Sequence, residues 1–333
     1  MHKTSIIFII VLIQFAIPLN GQSFLERYTK QLFKIEDYIL LEEYCEAANY
    51  YHKLSLEKFI YNRDLHNAIL SSLLCKDLNL IEYFSLEALK RGAPNEYFEE
   101  NFNEFDFFSS EIWDQLKNIE LPFTFHTEIR GKIREMIKVD QADRIDPSAR
   151  AMNDFKNLKV LNEIIERYGF PSQKDLGFDY LGDSNRQEYN RWFRIILIHQ
   201  TKERPWDFGS ILPELYLQGI ISPQLFVHLY PYMSFCDQKQ ITCLPSPSIN
   251  FLMLDDVVLS CNGDLKIEID EARSSFFLDP IDKQLEKSIF ARNSDYPWLI
   301  GEKFGLFHFN MEAKSLIERI ETFKEHGLVP ISQ

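Results

Sequence analysis

Apolar residues recur at helical spacing through the amino-terminal third of the chain. Tyr50, Tyr51 and Leu54 lie three, four and seven positions after Ala47, which is the spacing of one face of an α-helix. Asp64 begins a second pattern of this kind. A third follows a polar turn, and its apolar and closing residues are Leu80, Ile81, Phe84, Ala88, Leu89, Gly92 and Pro94. We therefore predict three consecutive helices joined by short turns.

The first and third of these helices are related by a shift of 34 residues, which places Ala47 on Ile81. A period of 34 residues with two helices in each repeat is typical of tetratricopeptide repeats. The stretch 64–92 closely resembles such a repeat, and the resemblance extends over roughly residues 25–117. It implies a short stack of helical hairpins through which the chain binds a protein or peptide partner.

Aromatic residues crowd the segment that follows this repeat. They are Tyr97, Phe98, Phe102, Phe105, Phe107, Phe108 and Trp113. A short stack of repeats needs a cap over its last apolar face, so we interpret these rings as core filling. A groove for a peptide is the alternative.

The central segment places polar residues on the apolar face of a helix. Asp140 lies seven positions after Ile133 and four after Met136, and Arg144 lies four further on. This spacing predicts an i,i+4 ion pair between Asp140 and Arg144 on the inward side, with Gln141 on the adjoining row. Charged residues on an apolar face either form ion pairs within the fold or serve in binding or catalysis.

Two further helices bring candidate residues from later in the chain. Asn153 or Asp154 is expected to cap a helix that ends at Gly169, and another helix runs over about 189–200 and contains His199. His199 can act as a general base if a carboxylate reaches it. A structural polar network that ties three helices together, a ligand-binding pocket and a catalytic site remain open alternatives.

The order of these motifs resembles a widespread bacterial domain of unknown function. The ordered set is Asp140-Gln141-x-x-Arg144, Asp154-x-x-Asn157, Gly169-Phe170-Pro171, Gly177, His199, Leu212-Pro213 and Gly219. The match spans roughly residues 124–235, and in many members the domain follows tetratricopeptide-like helices. A later Gln-x-Tyr-Gly-Thr stretch of the family is retained here only at Gln240. The resemblance implies a helical domain and supplies no established reaction.

The carboxyl-terminal part predicts mixed structure after a proline-rich linker at 245–248. Two runs with apolar residues, 257–261 and 264–269, flank Asn262-Gly263, and Asn-Gly between such runs is the strongest short signal for a β-hairpin. An amphipathic helix follows from Asn310. This part is therefore predicted to be a small β-hairpin plus a C-terminal helix.

Composition and charge exclude several classes of function. Glycine is scarce, with 12 in 333 residues, and no G-x-G-x-x-G or Walker-type run occurs, which argues against nucleotide binding. A net charge of −14 disfavours nucleic acid as a partner. No two histidines stand three to five positions apart and no H-E-x-x-H occurs, so we predict no metal site. No G-x-S-x-G occurs either, so the nucleophile motif of α/β-hydrolases is absent. We also predict no cofactor.

The amino terminus predicts export. Lys3 precedes an apolar run at 6–13 that is too short to span a membrane and is followed by Pro18 and Gly21, which is typical of a secretory signal peptide cleaved near Gly21. We expect a periplasmic or secreted mature chain without a membrane span. Export permits disulfides among the five cysteines, whose pairing the sequence leaves open. They are Cys45, Cys75, Cys236, Cys243 and Cys261.

The sequence thus predicts a mainly α protein of tetratricopeptide-like helical hairpins, a helical domain and a small C-terminal β-hairpin. The predicted segments are a signal peptide at 1–21, the repeat region at 22–120, the central domain at 121–244 and the tail at 245–333. The leading hypothesis is an interaction or scaffold protein, and we lean against an enzyme. The alternative is a hydrolase-like enzyme or small-ligand binder. Its candidate residues are Asp140, Gln141, Arg144, Asp154 and His199.

Overall fold

The chain is mainly helical in a computed structural model, which describes residues 24–120, 122–142, 146–178, 191–203, 208–230, 252–254, 257–261, 263–300 and 328–330. In these ranges the helices are α1 (Phe24–Leu40), α2 (Tyr44–Glu57), α3 (Asn62–Cys75), α4 (Leu78–Lys90), α5 (Asn95–Phe102), a 3₁₀ turn (Asp106–Ser109), α6 (Glu111–Leu116), α7 (Thr127–Gln141), α8 (Pro147–Tyr168), α9 (Gln173–Leu176), α10 (Arg191–Glu203), α11 (Phe208–Leu217), α12 (Pro223–Leu229), α13 (Gly263–Ser275) and α14 (Ile281–Asn293). None of the described helices is long and apolar enough to cross a membrane.

The amino-terminal helices α1 to α4 pack consecutively, each against the next. Ala47 and Phe84, on the predicted apolar faces, are fully buried. The polar turn between α3 and α4 is fixed locally: Lys76 adopts a left-handed conformation, and the Asp77 carboxylate accepts hydrogen bonds from the first backbone amides of α4. The three helices predicted from apolar spacing are confirmed as α2, α3 and α4.

The aromatic segment after α4 fills the core. The Phe98 side chain is fully buried, and its ring centroid lies 4.6 Å from that of Trp113, which is 2% exposed. Phe102 is also fully buried. This burial supports the interpretation of these rings as packing residues and not as an open groove.

A disulfide joins Cys45 near the start of α2 to Cys75 at the end of α3, with Cα atoms 4.8 Å apart. It closes a loop of thirty residues around the α2–α3 hairpin. The disulfide therefore ties together two helices that already pack against each other.

The central domain contacts the amino-terminal helices through the segment after α9. The Phe178 amide donates to the Arg91 carbonyl at 2.7 Å, and the Asn62 side chain donates to the Gly177 carbonyl at 2.8 Å. Gly177 has φ +65°, and a Cβ there would lie 2.4 Å from the Arg91 carbonyl oxygen. Only glycine fits this junction without strain.

The predicted pairing of 257–261 with 264–269 is wrong. Residues 264–269 lie in α13, and strand β2 (Val257–Cys261) pairs antiparallel with β1 (Leu252–Leu254) and with β3 (Leu328–Pro330). The helix forms because the buried residues from 269 to 276 recur at helical and not at alternating spacing. They are Ile269, Ala272, Arg273 and Phe276.

The carboxyl-terminal helices fold back on the amino-terminal ones. Lys287 of α14 is fully buried, and its Nζ lies 2.5 Å from the Glu36 carboxylate of α1 and also contacts the Asp279 carboxylate. Burial raises the pKa of Asp279 above its usual range. The predicted signal peptide at 1–21, the linker at 245–248 and the helix from Asn310 lie outside the described residues.

Candidate functional site

Three helices of the central domain bring Asp140, Asp154 and His199 together. These residues lie on α7, α8 and α10, and the three helices contact one another. A carboxylate oxygen of each aspartate and a ring nitrogen of the histidine all lie within 4.8 Å of one another. Asp140 and His199, which are 59 positions apart in the sequence, thus lie in one cluster with Asp154. We call these three residues the central cluster.

Helix α7 positions Asp140 through its apolar stripe. Ile133 and Met136 are each 2% exposed and pack in the core of the central domain. Asp140 follows them on the same face in the last turn of the helix and is itself 2% exposed. The predicted inward orientation of Asp140 is therefore confirmed.

Helix α8 begins earlier than predicted. Its N-cap is Asp146, whose carboxylate accepts from the Ser148 amide, and Pro147 occupies the first helical position, where a missing amide costs nothing. Asn153 and Asp154 therefore lie inside the helix, and the prediction that one of them caps it is wrong. Both are buried, because α8 turns this polar stretch towards the end of α7.

Asparagine side chains of α8 donate to a carbonyl group within α7 and to one just after its end. The Asn153 amide donates to the Ala142 carbonyl at 2.8 Å, and the Asn157 amide donates to the Met136 carbonyl at 3.0 Å. A helix leaves its last carbonyls without partners within the helix, so the Asn153 bond to Ala142 stabilises the end of α7. These bonds hold the α7 and α8 backbones in a fixed register around Asp140 and Asp154.

His199 contacts Asp140 directly. Its Nδ1 lies 2.9 Å from Asp140 Oδ1, while the Gln141 amide donates to Asp140 Oδ2 at 2.6 Å. Because a carboxylate only accepts hydrogen bonds, the neutral ring carries its proton on Nδ1 and Nε2 is its acceptor nitrogen. The His199 side chain is 24% exposed and that of Asp140 is 1% exposed, so solvent reaches the histidine side of the pair.

The remaining predicted residues divide into two groups. Gln141 belongs to the cluster through its bond to Asp140. Arg144 lies outside the described residues, beyond the end of α7, so its predicted ion pair with Asp140 stays a prediction.

The cluster also has the residue types that hold divalent cations. Carboxylate oxygens and an imidazole nitrogen suit several divalent ions. The prediction of no metal site rested on ligands spaced along one helix, whereas these three come from three helices. Within the described part of the chain, they are the group whose geometry could hold an ion.

A largely buried polar group on α3, which we call the α3 clamp, was not predicted from the sequence. It consists of Arg63, His66 and Asn67, whose side chains contact the carbonyl oxygens of Pro297 and Leu299 in the irregular segment after α14. The positions i, i+3 and i+4 on one helix share a face, which is the only signal that the sequence offers for it.

Comparison of the chain with family models gives no match, and comparisons with curated proteins and with solved structures give none either.

Proposed function

We propose that the central helical domain carries an acid–base site with hydrolase-like activity, in which His199 is the general base. The observation that carries this proposal is the 2.9 Å contact between His199 Nδ1 and the buried Asp140 carboxylate. A general base is held in its working orientation by a third group within hydrogen-bond reach, which is the position of Asp140 relative to His199. The ordered motifs that resemble the uncharacterised bacterial domain supply Asp140, Gln141, Asp154 and His199, which supports a shared role for them.

The proposed reaction is hydrolysis of a small ester. His199 Nε2 takes a proton from a water molecule, the hydroxide oxygen forms a bond to the ester carbonyl carbon, and the bond to the leaving alkoxide breaks. The imidazolium then returns its proton to the leaving oxygen. Asp140 orients the ring through Nδ1 and stabilises the imidazolium, and Asp154 adds a second buried acceptor beside it.

Hydrolysis of p-nitrophenyl acetate by the full chain tests this role. We expect His199→Ala to lower the rate by about a hundredfold, which is a typical contribution of a general base. His228→Ala is the matched control, because His228 is an exposed histidine of α12, and it should hydrolyse at the wild-type rate. A wild-type rate no faster than buffer, or equal rates in wild type and His199→Ala, would contradict the proposal.

A chelator separates a base mechanism from a metal mechanism at the same residues. Hydrolysis that is unchanged by EDTA supports His199 as the base. Loss of activity with EDTA and recovery with Zn²⁺ or Mn²⁺ would instead assign the cluster to a bound cation.

We also propose that the chain is exported. Disulfides persist in oxidising compartments, so the Cys45–Cys75 bond supports the signal peptide predicted from the sequence. Mass spectrometry of the mature protein should find a first residue near Gln22 and oxidised Cys45 and Cys75. A cytoplasmic chain that retains Lys3 and has both thiols reduced would overturn this proposal.

A second candidate function is protein interaction through α1 to α5, which we propose form a tetratricopeptide-like stack. Its support is that α2 and α4 begin 34 positions apart, at Tyr44 and Leu78, and that successive helices pack together. Affinity capture from the periplasmic fraction should recover a partner with the wild type. Recovery of nothing above background would count against the role.

A further inference from the structure

A cleft of about 880 Å³, which we call the α7 cleft, opens where the amino-terminal helices meet the central domain. Its walls are the turn between α4 and α5, the segment between α6 and α7, and the first turns of α7. It includes Gly131, which stands nine positions before Asp140 and so lies, at about 100° per residue, on the opposite face of α7. Small-molecule sites have about this volume and are common where domains meet. The α7 cleft is therefore a candidate ligand site separate from the central cluster.

The most buried cation of the cleft is Arg130, which is 8% exposed. Its guanidinium donates to the Phe178 carbonyl, and the guanidinium carbon lies 4.3 Å from the centre of the Phe125 ring. Gly92 leaves room for this group, because a Cβ there would lie 2.4 Å from Arg130 Nη1. The carbonyl and the ring are neutral, so these two contacts hold the guanidinium in place without cancelling its charge.

Cations outnumber acids in the lining of the cleft. The cations are Lys117, Arg130 and Arg134, and the acids are Glu96 and Glu120. Lys117 pairs with the Asp114 carboxylate at 2.5 Å, whereas Arg130 and Arg134 are neighbours at i,i+4 on the cleft face of α7. Both glutamates are exposed, and solvent screens their charges more than that of the buried Arg130. In a chain of net charge −14, this lining therefore favours an anion beside the two arginines.

Two aromatic rings form an apolar wall next to Arg130. The centroids of Phe123 and Phe125 lie 4.7 Å apart, and Phe123 is 62% exposed. Ile119, which is 47% exposed, also lines the cleft. An apolar ligand body that covered these side chains would remove their surface from water, which stabilises a complex. The cleft thus combines an apolar wall with a few cations, as small-molecule sites do.

We propose that the α7 cleft binds small carboxylates that have an aromatic or aliphatic body. The carboxylate forms charge-assisted hydrogen bonds with Arg130 and Arg134, since a planar guanidinium matches a carboxylate in shape and charge. The body of the ligand packs on Phe123 and Phe125. The cleft shares no residue with the central cluster, so this proposal and the hydrolytic role can fail independently.

Saturation-transfer NMR titrations of the full chain test the ligand class with two probes. These are 1-naphthaleneacetate, an aromatic carboxylate, and 1-naphthaleneacetamide, its neutral amide. The carboxylate should bind with a Kd of about 1 mM or below, the affinity expected of a ligand of this size. The amide should bind about threefold more weakly or worse, because it has no charge for the arginines. No saturable binding of the carboxylate, or equal affinities of the two probes, would overturn the proposal.

Gly131→Leu fills the cleft and leaves the fold undisturbed. A Cβ at Gly131 would meet no neighbouring atom within 4 Å, so the leucine side chain projects into the open space of the cleft. We expect it to weaken binding of the carboxylate at least about tenfold, because it takes up volume that the ligand needs. Ser274→Leu, at an exposed position of α13, is the matched control and should bind as wild type does. Wild-type affinity in Gly131→Leu would overturn the proposal.

Two exposed lining residues separate the charge of the site from its apolar wall. Arg134→Gln should weaken the carboxylate about threefold and leave the amide unchanged, which is the size of effect expected for an exposed charge. Phe123→Ala should weaken both probes alike, because both contact the ring. Lys138→Gln makes the same charge change on α7 outside the lining and should match wild type. Equal losses in Lys138→Gln and Arg134→Gln, or a loss in Arg134→Gln that the amide shares, would overturn the proposal.

Discussion

Burial sets the charge state of Asp64, a residue of α3. The carboxyl is fully buried, accepts a hydrogen bond from the Tyr28 hydroxyl, and has a pKa raised by burial to about 7. In the unfolded chain it ionises near the usual aspartate pKa of about 3.9. The stability that this group contributes is therefore fully present below about pH 4 and is lost as the pH rises through 7.

Replacement of this carboxyl by an amide removes the pH dependence. The Asp64→Asn side chain keeps an acceptor for Tyr28 and has no proton to lose. From about pH 5 to about pH 7 the wild type loses about 1.4 kcal/mol of unfolding free energy per pH unit, because Asp64 is protonated in the fold and ionised in the unfolded chain. The variant has no such loss. Between about pH 5 and pH 8 its free energy of unfolding should therefore rise by about 3 kcal/mol relative to wild type. Urea denaturation at the two pH values measures this, and parallel pH profiles would show that Asp64 ionises normally in the fold.

At the scale of single residues, the sequence predicts whether a side chain faces the core but not its distance from a side chain on another helix. Asp140 follows an apolar stripe, so its inward position was visible in the spacing, and it is 2% exposed. Its contact with His199 depends on how α7 and α10 cross, which no local pattern encodes. The charge state of Asp64 was equally invisible, because it follows from the burial of its surroundings.

At the scale of elements, glycine positions decide how segments meet. A Cβ at Gly177 would lie 2.4 Å from the Arg91 carbonyl oxygen, at a φ of +65°. Gly131 instead lies inside α7, where a Cβ would meet no neighbouring atom within 4 Å. The same substitution should therefore have opposite effects at the two sites.

Alanine scanning of these two glycines checks the junction. Gly177→Ala should destabilise by about 2 kcal/mol or more, because it adds a left-handed strain and a clash with backbone. Gly131→Ala should stabilise by about 0.5–1 kcal/mol, because alanine is the better helix former. Thermal unfolding measures both, and a gain in stability from Gly177→Ala would refute the close approach to Arg91.

The predictions of helices and strands were correct where the apolar pattern extended over many residues and wrong where it covered only a few. Helices α2 to α4 follow extended patterns, whereas residues 264–269 alone fit both an alternating and a helical pattern. Ile267, an apolar residue of the predicted strand, is 58% exposed on α13. The early start of α8 was missed because Asn153 and Asp154 are common caps, yet here they face a neighbouring helix.

At the scale of the whole molecule, a buried ion cluster joins α1 to α14, the first and last helices that the structure describes. Lys287 is fully buried between Glu36 and Asp279, and the Gln284 amide donates to Asp279 at 2.7 Å. The contact between Lys287 and Glu36 spans 251 positions. No local pattern predicts a partner so distant, so this cluster could not be found from the sequence.

Removal of the buried cation should be costly. Lys287→Met leaves two buried carboxylates facing each other, so we expect a loss of about 3–5 kcal/mol of unfolding free energy. Lys283→Met is the matched control, because Lys283 is about one-third exposed and its pairs with Asp37 and Glu286 are worth less than about 1 kcal/mol. Chemical denaturation compares them, and similar losses in the two variants would mean that the buried cluster does not hold the ends together.

The central claim is that Asp140 orients His199 as a general base. The tautomer of the His199 ring tests it most directly, because the measurement needs no substrate. Nitrogen-15 NMR of the histidine rings at about pH 9, above the usual histidine pKa of about 6.5, reports which nitrogen carries the proton. His199→Ala assigns the signal. The account predicts that wild-type His199 is protonated on Nδ1 and that Asp140→Ala abolishes this preference. Protonation of wild-type His199 on Nε2, or a tautomer unchanged by Asp140→Ala, would contradict it.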